Sequence, residues 1–240
     1  MVYDKQKRRV ILPDTTLCAI VRDEIMNPAG GIIDFIESTV PYVKEAVIVD
    51  GLSTDGTKEA LDELTRKYTH LRIFDRQFTD YADQRNYSLH QASLKRALIL
   101  DADERLTYND FVELKEVMKK QSAWGYRFKF LDISPESPRG IRGTGHTLRL
   151  FERSSDAKYQ HKMFEFLYIG DFREDKAEGI SVIDSGIKIK HFRPSLEGIY
   201  AKNDQWYGVV RAGRAPEAGP HTLEGFNLWK AYNPARENFR

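Results

Sequence analysis

Three short apolar runs, each ending in carboxylates, constrain this chain more than any other feature. Thr16–Val21 leads into Arg22-Asp23-Glu24, Ala46–Val49 into Asp50, and Leu98–Leu100 into Asp101-Ala102-Asp103-Glu104. Runs of this length suit strands buried on both faces, as in a parallel sheet. Helical spacing fills the gaps between them. Ile32, Ile33, Phe35, Ile36 and Val40 precede a helix stop at Pro41. Leu61 and Leu64 mark a helix that starts near Thr57, with Asp55 or Thr57 as its cap. His70–Phe74 adds a shorter strand and Tyr81–Leu89 a further helix. Strands alternating with helices across short connections imply βαβ units, an α/β class with a mainly parallel sheet. In such a sheet the carboxyl ends of the strands line the ligand crevice, so Asp23, Asp50 and Asp101 are expected there side by side.

Asp101 and Asp103 are separated by one residue, so an extended backbone points both the same way. Like charges that close repel unless a cation or a strong donor lies between them. Glu104 points the other way and is expected to orient neighbours or begin the next turn. Composition removes several alternatives. A net charge of +1 over 240 residues gives no global field for nucleic acid. The single cysteine, Cys18, excludes an internal disulfide and a cysteine zinc site, and its apolar setting makes it a buried small hydrophobe. Neither a phosphate-binding Gly-x-x-x-x-Gly-Lys-Ser/Thr loop nor a Gly-x-Gly-x-x-Gly fingerprint is present. No apolar run approaches the ~18 residues of a membrane span, and the first residues lack the apolar core of a signal peptide. The expectation is a cytoplasmic protein, with peripheral membrane contact left open.

Four motifs in order, Leu17–Glu24, Val49–Thr57, Arg85-Asn86 and Leu100–Glu104, resemble the family 2 glycosyltransferases, which depend on nucleotide sugars and adopt the GT-A fold. The resemblance covers residues 16–105. It implies an inverting, metal-dependent glycosyltransferase (a hexosyltransferase) that uses a nucleoside-diphosphate sugar, UDP- or GDP-linked, as donor. It implies that Asp50 accepts from the nucleobase, as an ionised carboxylate can. Arg85, Asp101, Arg22 and Glu24 are expected to line the nucleotide. Asp101 and Asp103 form the Asp-x-Asp motif, with Asp103 holding Mn2+ or Mg2+, a hard cation suited to carboxylate and phosphate oxygens. Asp55 is better explained by turn geometry. Leu52 stands where the family usually has a small residue, which changes the local shape of the base pocket.

The second half is expected to bind the acceptor. Phe111, Leu114, Val117 and Met118 mark a helix near Thr107, and Trp124–Phe130 alternates like a strand with one wetter face. Asp132–Gly145, rich in proline and glycine, reads as a loop over the site, and His146–Arg153 as another strand that resembles the family's Leu-Arg-Leu-Phe element. An inverting transfer needs a carboxylate near the acceptor hydroxyl. Where the family often has a His-Glu pair this chain has Phe164-Glu165, so Glu165 is the candidate base, with Asp132 as a substitute. His161 reads as a hydrogen-bonded histidine. His191 ends the alternating Ile187–Phe192 strand and resembles a family histidine that ligates the metal, giving the expected metal set Asp103, Asp101 and His191. The resulting organisation is one domain over 1–240, with a donor half at 16–105, an acceptor half at 106–194 and a helical tail at 195–240. The acceptor is a saccharide or lipid-linked hydroxyl, and the basic, aromatic tail is compatible with a lid, an interface or a membrane surface. The competing readings are a nucleotidyltransferase, disfavoured by Arg22-Asp23-Glu24 after the first strand, and a non-catalytic nucleotide- or sugar-binding module.

Overall fold

The acid-tipped runs become adjacent parallel strands. The computed structural model describes residues 10–134, 137–162 and 165–193. Strands β1 (Leu12–Val21), β2 (Val43–Asp50), β3 (Leu71–Asp75) and β4 (Arg96–Ile99) lie in the order β3-β2-β1-β4, all parallel. Val21 pairs with Asp50 and Cys18 with Ile99, so the carboxyl ends of β1, β2 and β4 open on one edge. Strand alternation explains why the runs are apolar throughout. Leu17, Ala19, Ile48, Leu98 and Leu100 face one core, packed by α1 (Gly31–Thr39), α2 (Thr57–Lys67) and α4 (Tyr108–Lys120). Cys18, Ala97 and Ile99 face the other, with Ala82 and Leu89 of α3 (Tyr81–Gln91). The Cys18 thiol donates to the Ser88 carbonyl at 3.8 Å, and burial pushes its pKa up to about 12. It is the buried hydrophobe expected.

Beyond β4 the sheet continues as β7 (Ser137–Glu152), β6 (Gly125–Ser134), β11 (Val182–Phe192) and β5 (Glu104–Arg105). β7 runs antiparallel to both its neighbours, β11 is parallel to β6, and β5 is antiparallel to β11. A separate antiparallel sheet holds β8 (Ala157–Gln160), β9 (Phe166–Ile169) and β10 (Phe172–Arg173). Tyr159 and Leu167 of this small sheet pack on the α3 side of the core. The architecture is the mixed, mainly parallel α/β sheet flanked by helices that the patterning implies.

Two local expectations are corrected. Asp132–Gly145 is not an irregular loop, because β6 and β7 pair through it, with Leu131 opposite Arg142 and Asp132 opposite Ile141. Register shifts between Lys129 and Ser134 accommodate its proline- and glycine-rich sequence, and Gly140 supplies a positive φ of 82°. Helix α2 is preceded by Gly56 at φ 101° rather than by Asp55 or Thr57 in the capping position. Asp55 Oδ1 instead accepts from the Thr57 amide at 2.9 Å, and its Oδ2 accepts from the Ile25 amide at 3.0 Å, the turn role expected of it. Helix α4 begins as expected at Thr107, whose hydroxyl and the Asp110 carboxylate form a reciprocal capping box. The tail 195–240 lies outside the described residues, among which no helix is long and apolar enough to cross a membrane.

The amino ends of the strands are closed by a polar network around Glu45. Its carboxylate accepts from Thr16 Oγ1 (2.5 Å), the Ser93 amide (2.8 Å), Ser93 Oγ (3.0 Å) and Arg72 Nη1 (2.8 Å). Burial opposes its ionisation, but these donors outweigh it and leave its pKa below the usual value. A group with a depressed folded pKa adds stability above its unfolded pKa and loses it as pH falls through the folded one. Glu45→Gln is therefore expected to lower stability by about 1–3 kcal/mol at neutral pH, with the deficit shrinking below roughly pH 4. Urea unfolding of both proteins across pH 3–7 checks this, and a deficit independent of pH contradicts it.

Candidate active site

The carboxyl edge is built from two interlocked loops and one acidic turn. The loop after β1 (22–30) and the loop after β2 (51–56) hold one another through short polar side chains. Asp50 accepts from the Ser53 amide at 2.9 Å and from the Ser53 hydroxyl. The same hydroxyl accepts from the Asp23 amide at 2.8 Å, and Asp23 Oδ1 accepts from the Thr54 amide at 2.7 Å. Thr57 Oγ1 accepts from the Glu24 amide at 2.7 Å. These bonds hold Asp23 (φ 53°) and Leu52 (φ 63°) in the left-handed region, which L-residues enter at a cost of about 1–3 kcal/mol. Gly51 suits a close approach, since a Cβ there would lie 3.2 Å from that of Arg22. Asp50 is almost fully buried, and burial raises its pKa against the lowering by Ser53. Leu52 stands 48% exposed beside it, so its bulk faces solvent at the rim rather than filling the core.

The acidic turn after β4 closes when the Glu104 amide donates to the Asp101 carbonyl at 2.9 Å. Arg105 fastens the turn from beneath, with Nη1 2.8 Å from the Ala102 and Glu104 carbonyls. Its Nη2 reaches the Ala29 and Gly31 carbonyls at 3.1 and 3.0 Å. Asn27 Nδ2 donates to the Ala102 carbonyl and to Glu24 Oε2, both at 2.8 Å. Glu24 thus reaches the acidic turn through Asn27. Arg22, whose Nε lies 3.5 Å from Asp23 Oδ2, belongs to the Asp23 side of the crevice.

Two buried guanidinium groups organise the carboxylates. Arg85 of α3 donates from Nη2 to Asp101 Oδ1 at 2.8 Å and from Nε to Glu165 Oε1 at 2.5 Å. Arg149 of β7 donates from Nη2 to Asp101 Oδ2 at 3.3 Å and to Glu104 Oε1. Burial opposes ionisation of Asp101, but the two arginines hold its pKa below the carboxylate range. Burial wins at Glu104 and pushes its pKa up to about 7 despite Arg149. Arg85 Nη1 and Arg149 Nε are buried with no hydrogen-bond partner among the described residues. Asn86, next to Arg85, clamps β8 by exchanging hydrogen bonds with the Tyr159 backbone at 2.9 and 2.7 Å. That brings the Tyr159 ring to 5.8 Å from the Arg85 guanidinium.

On the far side of the turn, His191 Nε2 lies 3.7 Å from Asp103 Oδ2, and Nδ1 lies 2.9 Å from Asp132 Oδ1. Arg193 Nε shares that Asp132 oxygen at 2.9 Å. Burial disfavours the imidazolium, but Asp103 and Asp132 outweigh it and raise the His191 pKa to about 10. The expected metal set is therefore divided. Asp103 and His191 approach one another, whereas both Asp101 oxygens face guanidinium groups. No group of three or more His, Cys, Asp or Glu side chains suited to one metal ion forms among the described residues. The donor chemistry at Asp103 and His191 still fits a divalent cation. A hard carboxylate faces a histidine whose other nitrogen is held by a carboxylate, the arrangement that orients metal-binding histidines, and a cation there would displace the Nε2 proton that Asp103 otherwise favours.

Arg149 and Ser53 were not singled out from the sequence, and Asp132 was weighed only as a base. An arginine inside the apolar strand Leu148–Phe151 is the signal that could have exposed Arg149, because a buried charge requires a partner. His161 makes the hydrogen bond expected of it, 3.1 Å to the Tyr168 hydroxyl, at φ 76°.

The model of glycosyl transferase family 2 matches residues 29–173. A TPR repeat-containing protein of Synechococcus elongatus is 27% identical over 156 residues, 65% of this chain, and the chain spans only 36% of that protein's length. The crystal structure of S. aureus TarS superposes with a TM-score of 0.51 at 13% identity, covering 94% of this chain and 44% of that one. A TarS 1–349 structure in complex with UDP gives 0.48 at 15% identity, covering 94% and 73%. At these identities the first TarS likeness concerns the fold alone, and the second adds no argument. The family match spans more than half of the residues, and the chain belongs to glycosyl transferase family 2.

Proposed function

We propose that the chain transfers a sugar from a nucleoside-diphosphate sugar, UDP- or GDP-linked, to a hydroxyl of a saccharide or lipid-linked acceptor, in one displacement with inversion. The observation that carries this reading is Arg85. One buried cation joins the Asp-x-Asp turn of the donor half to Glu165 of the acceptor half, at 2.8 and 2.5 Å. A donor at the carboxyl edge would then have its reacting carbon between the two halves. Asp50 holds the nucleobase end, and the buried Arg85, whose Nη1 lacks a hydrogen-bond partner among the described residues, favours anionic oxygen nearby. Asp103 and His191 would hold Mn2+ or Mg2+, which when bound neutralises charge on the departing diphosphate.

Glu165 removes the proton of the acceptor hydroxyl as that oxygen attacks the anomeric carbon. The bond from that carbon to the diphosphate oxygen breaks with its electron pair, and no covalent enzyme intermediate forms. Arg85 orients Glu165 through Nε, which leaves the second carboxylate oxygen to take the proton. We read the whole chain, 1–240, as this one domain, with the tail at 195–240 serving as a lid over the diphosphate, an interface or a membrane contact.

Glu165→Gln is expected to lower kcat of sugar transfer by about 10²–10⁴ while leaving donor KM within a few-fold. Steady-state assays with a panel of UDP- and GDP-hexoses and Mn2+ measure it. Wild-type turnover by this variant would move the base elsewhere, with Asp132 next to be replaced. If wild-type protein neither hydrolyses nor transfers any of these donors, the proposed activity is wrong.

A further inference from the structure

Glu104 is among the most buried charged groups in the molecule, at 1% exposure, and the proposed chemistry gives it no task. A carboxylate so placed is costly unless paired and fully hydrogen-bonded. Its bonds all run to the frame of the site. Oε1 accepts from Arg149, and Oε2 accepts from the Asp101 amide at 3.1 Å. Its own amide closes the turn onto the Asp101 carbonyl at 2.9 Å. Its backbone pairs with His191 across the β5–β11 ladder, and the next residue on β11, Phe192, donates its amide to the Asp103 carbonyl at 3.0 Å. One residue therefore ties the turn that carries Asp101 and Asp103 to the strands that carry Arg149 and His191.

Arg149 completes the frame. The Nη2 that holds Glu104 also lies 3.3 Å from Asp101 Oδ2, opposite the Oδ1 taken by Arg85. Its guanidinium carbon sits 5.3 Å from the Phe130 ring centroid, and that ring is 5.4 Å from the His191 ring. Asp101 is thus gripped on both oxygens and at its amide. Apolar residues of similar volume would hold these strands together at least as well as a buried ion pair. The pair does what an apolar substitute cannot: it fixes the direction of a carboxylate.

We infer that Glu104 and Arg149 form a positioning pair that sets the orientation of Asp101 and the spacing of Asp103 and His191, without touching substrate. The inference rests on the glycosyltransferase reading for its effect on rate, but its structural arm does not. The deciding variant is Glu104→Leu combined with Arg149→Met, which replaces the pair by an apolar contact, so that the strands remain packed. Its melting temperature is expected to stay within a few degrees of wild type. Its kcat for a UDP- or GDP-hexose with Mn2+ is expected to fall at least tenfold, with donor KM changed far less. A crystal structure of the variant should show the Asp101 carboxylate turned from its wild-type direction.

Undiminished kcat, or an Asp101 carboxylate left in its wild-type place, overturns the inference. Glu104→Gln provides the independent check, because it preserves shape and an acceptor while weakening the hold of Arg149. It should show a smaller kcat loss than the double variant, and a larger one counts against the pair. If the wild-type enzyme turns over no nucleotide sugar, the functional reading fails, and the Asp101 orientation in the variant crystal still decides the positioning claim.

Discussion

Asp103→Ala is expected to lower turnover of a nucleoside-diphosphate sugar by about a thousandfold or more, equivalent to about 4 kcal/mol of transition-state stabilisation. The reason lies in the asymmetry of the acidic turn. Asp101 is bound by two arginines, whereas Asp103 faces His191, whose Nε2 lies 3.7 Å from its Oδ2. Asp103 also adds repulsion to its neighbours, since its charge raises the pKa values of both Asp101 and Glu104. Removing it relieves that repulsion and also takes away a carboxylate that favours the His191 imidazolium, so thermal unfolding reads the balance of the two. EDTA applied to the wild-type enzyme should reproduce the loss, and added Mn2+ should restore it in the wild type but not in the variant. Turnover within tenfold of wild type for Asp103→Ala, or full activity in EDTA, contradicts the assignment of Asp103.

Arg85→Met is expected to damage both fold and activity. Arg85 is 7% exposed and is the partner of Glu165 as well as of Asp101. Its removal leaves Glu165 without the cation that holds it and Asp101 with Arg149 alone, a loss of about 3–5 kcal/mol. The pH dependence follows from Asp101, whose folded pKa is depressed by its arginines against the effect of burial. Such a group contributes stability above its unfolded pKa and loses it as pH falls through the folded one. The deficit of Arg85→Met should therefore be largest near neutrality and shrink in acid as Asp101 takes up a proton. Arg85→Lys should recover only part of it, because an ammonium is a point charge and cannot present the planar fork that reaches both acids. Denaturant unfolding of the three proteins at pH 7 and pH 4 measures this. Equal stability of Arg85→Met and wild type at pH 7 contradicts it.

The parallel half of the sheet was legible in the sequence because its strands are buried on both faces. Thr16–Val21 and Ala46–Val49 leave no wet face, and only a covered parallel sheet accepts such runs. The acids at their ends were legible for the same reason, since charge can begin only where the strand leaves the core. The hairpin at 132–145 was hidden because proline, glycine and register shifts carry the same composition as a loop. Its pairing comes from β6 and β7 meeting across the sheet, a non-local fact. The partners of the acidic turn were hidden likewise: Arg149 lies 45 residues from Glu104 and Glu165 lies 80 from Arg85, so the pairing exists only once the chain has folded. Glu104 was read as an orienting group from an extended backbone; its bonds to Asp101 and Arg149 suit that role, but residues 101–104 form a turn closed by the Glu104 amide on the Asp101 carbonyl, so strand alternation does not set their directions. The placement of Asp101 between two guanidinium groups was not anticipated. An Asp-x-Asp spacing says that two charges need compensation and leaves open whether a metal or an arginine supplies it.

The central claim is that the edge bearing Asp50, Asp101 and Asp103 binds a nucleoside diphosphate together with a divalent cation. The direct measurement is the thermal unfolding of the wild-type chain with UDP or GDP, each with Mn2+ and with EDTA. A ligand at 100 times its dissociation constant stabilises the folded state by about 2.7 kcal/mol, so the melting temperature should rise by several degrees with one of the two nucleotides in Mn2+. That rise should vanish in EDTA and in Asp50→Ala. An unchanged melting temperature with both nucleotides in Mn2+, at millimolar concentration, would contradict the account.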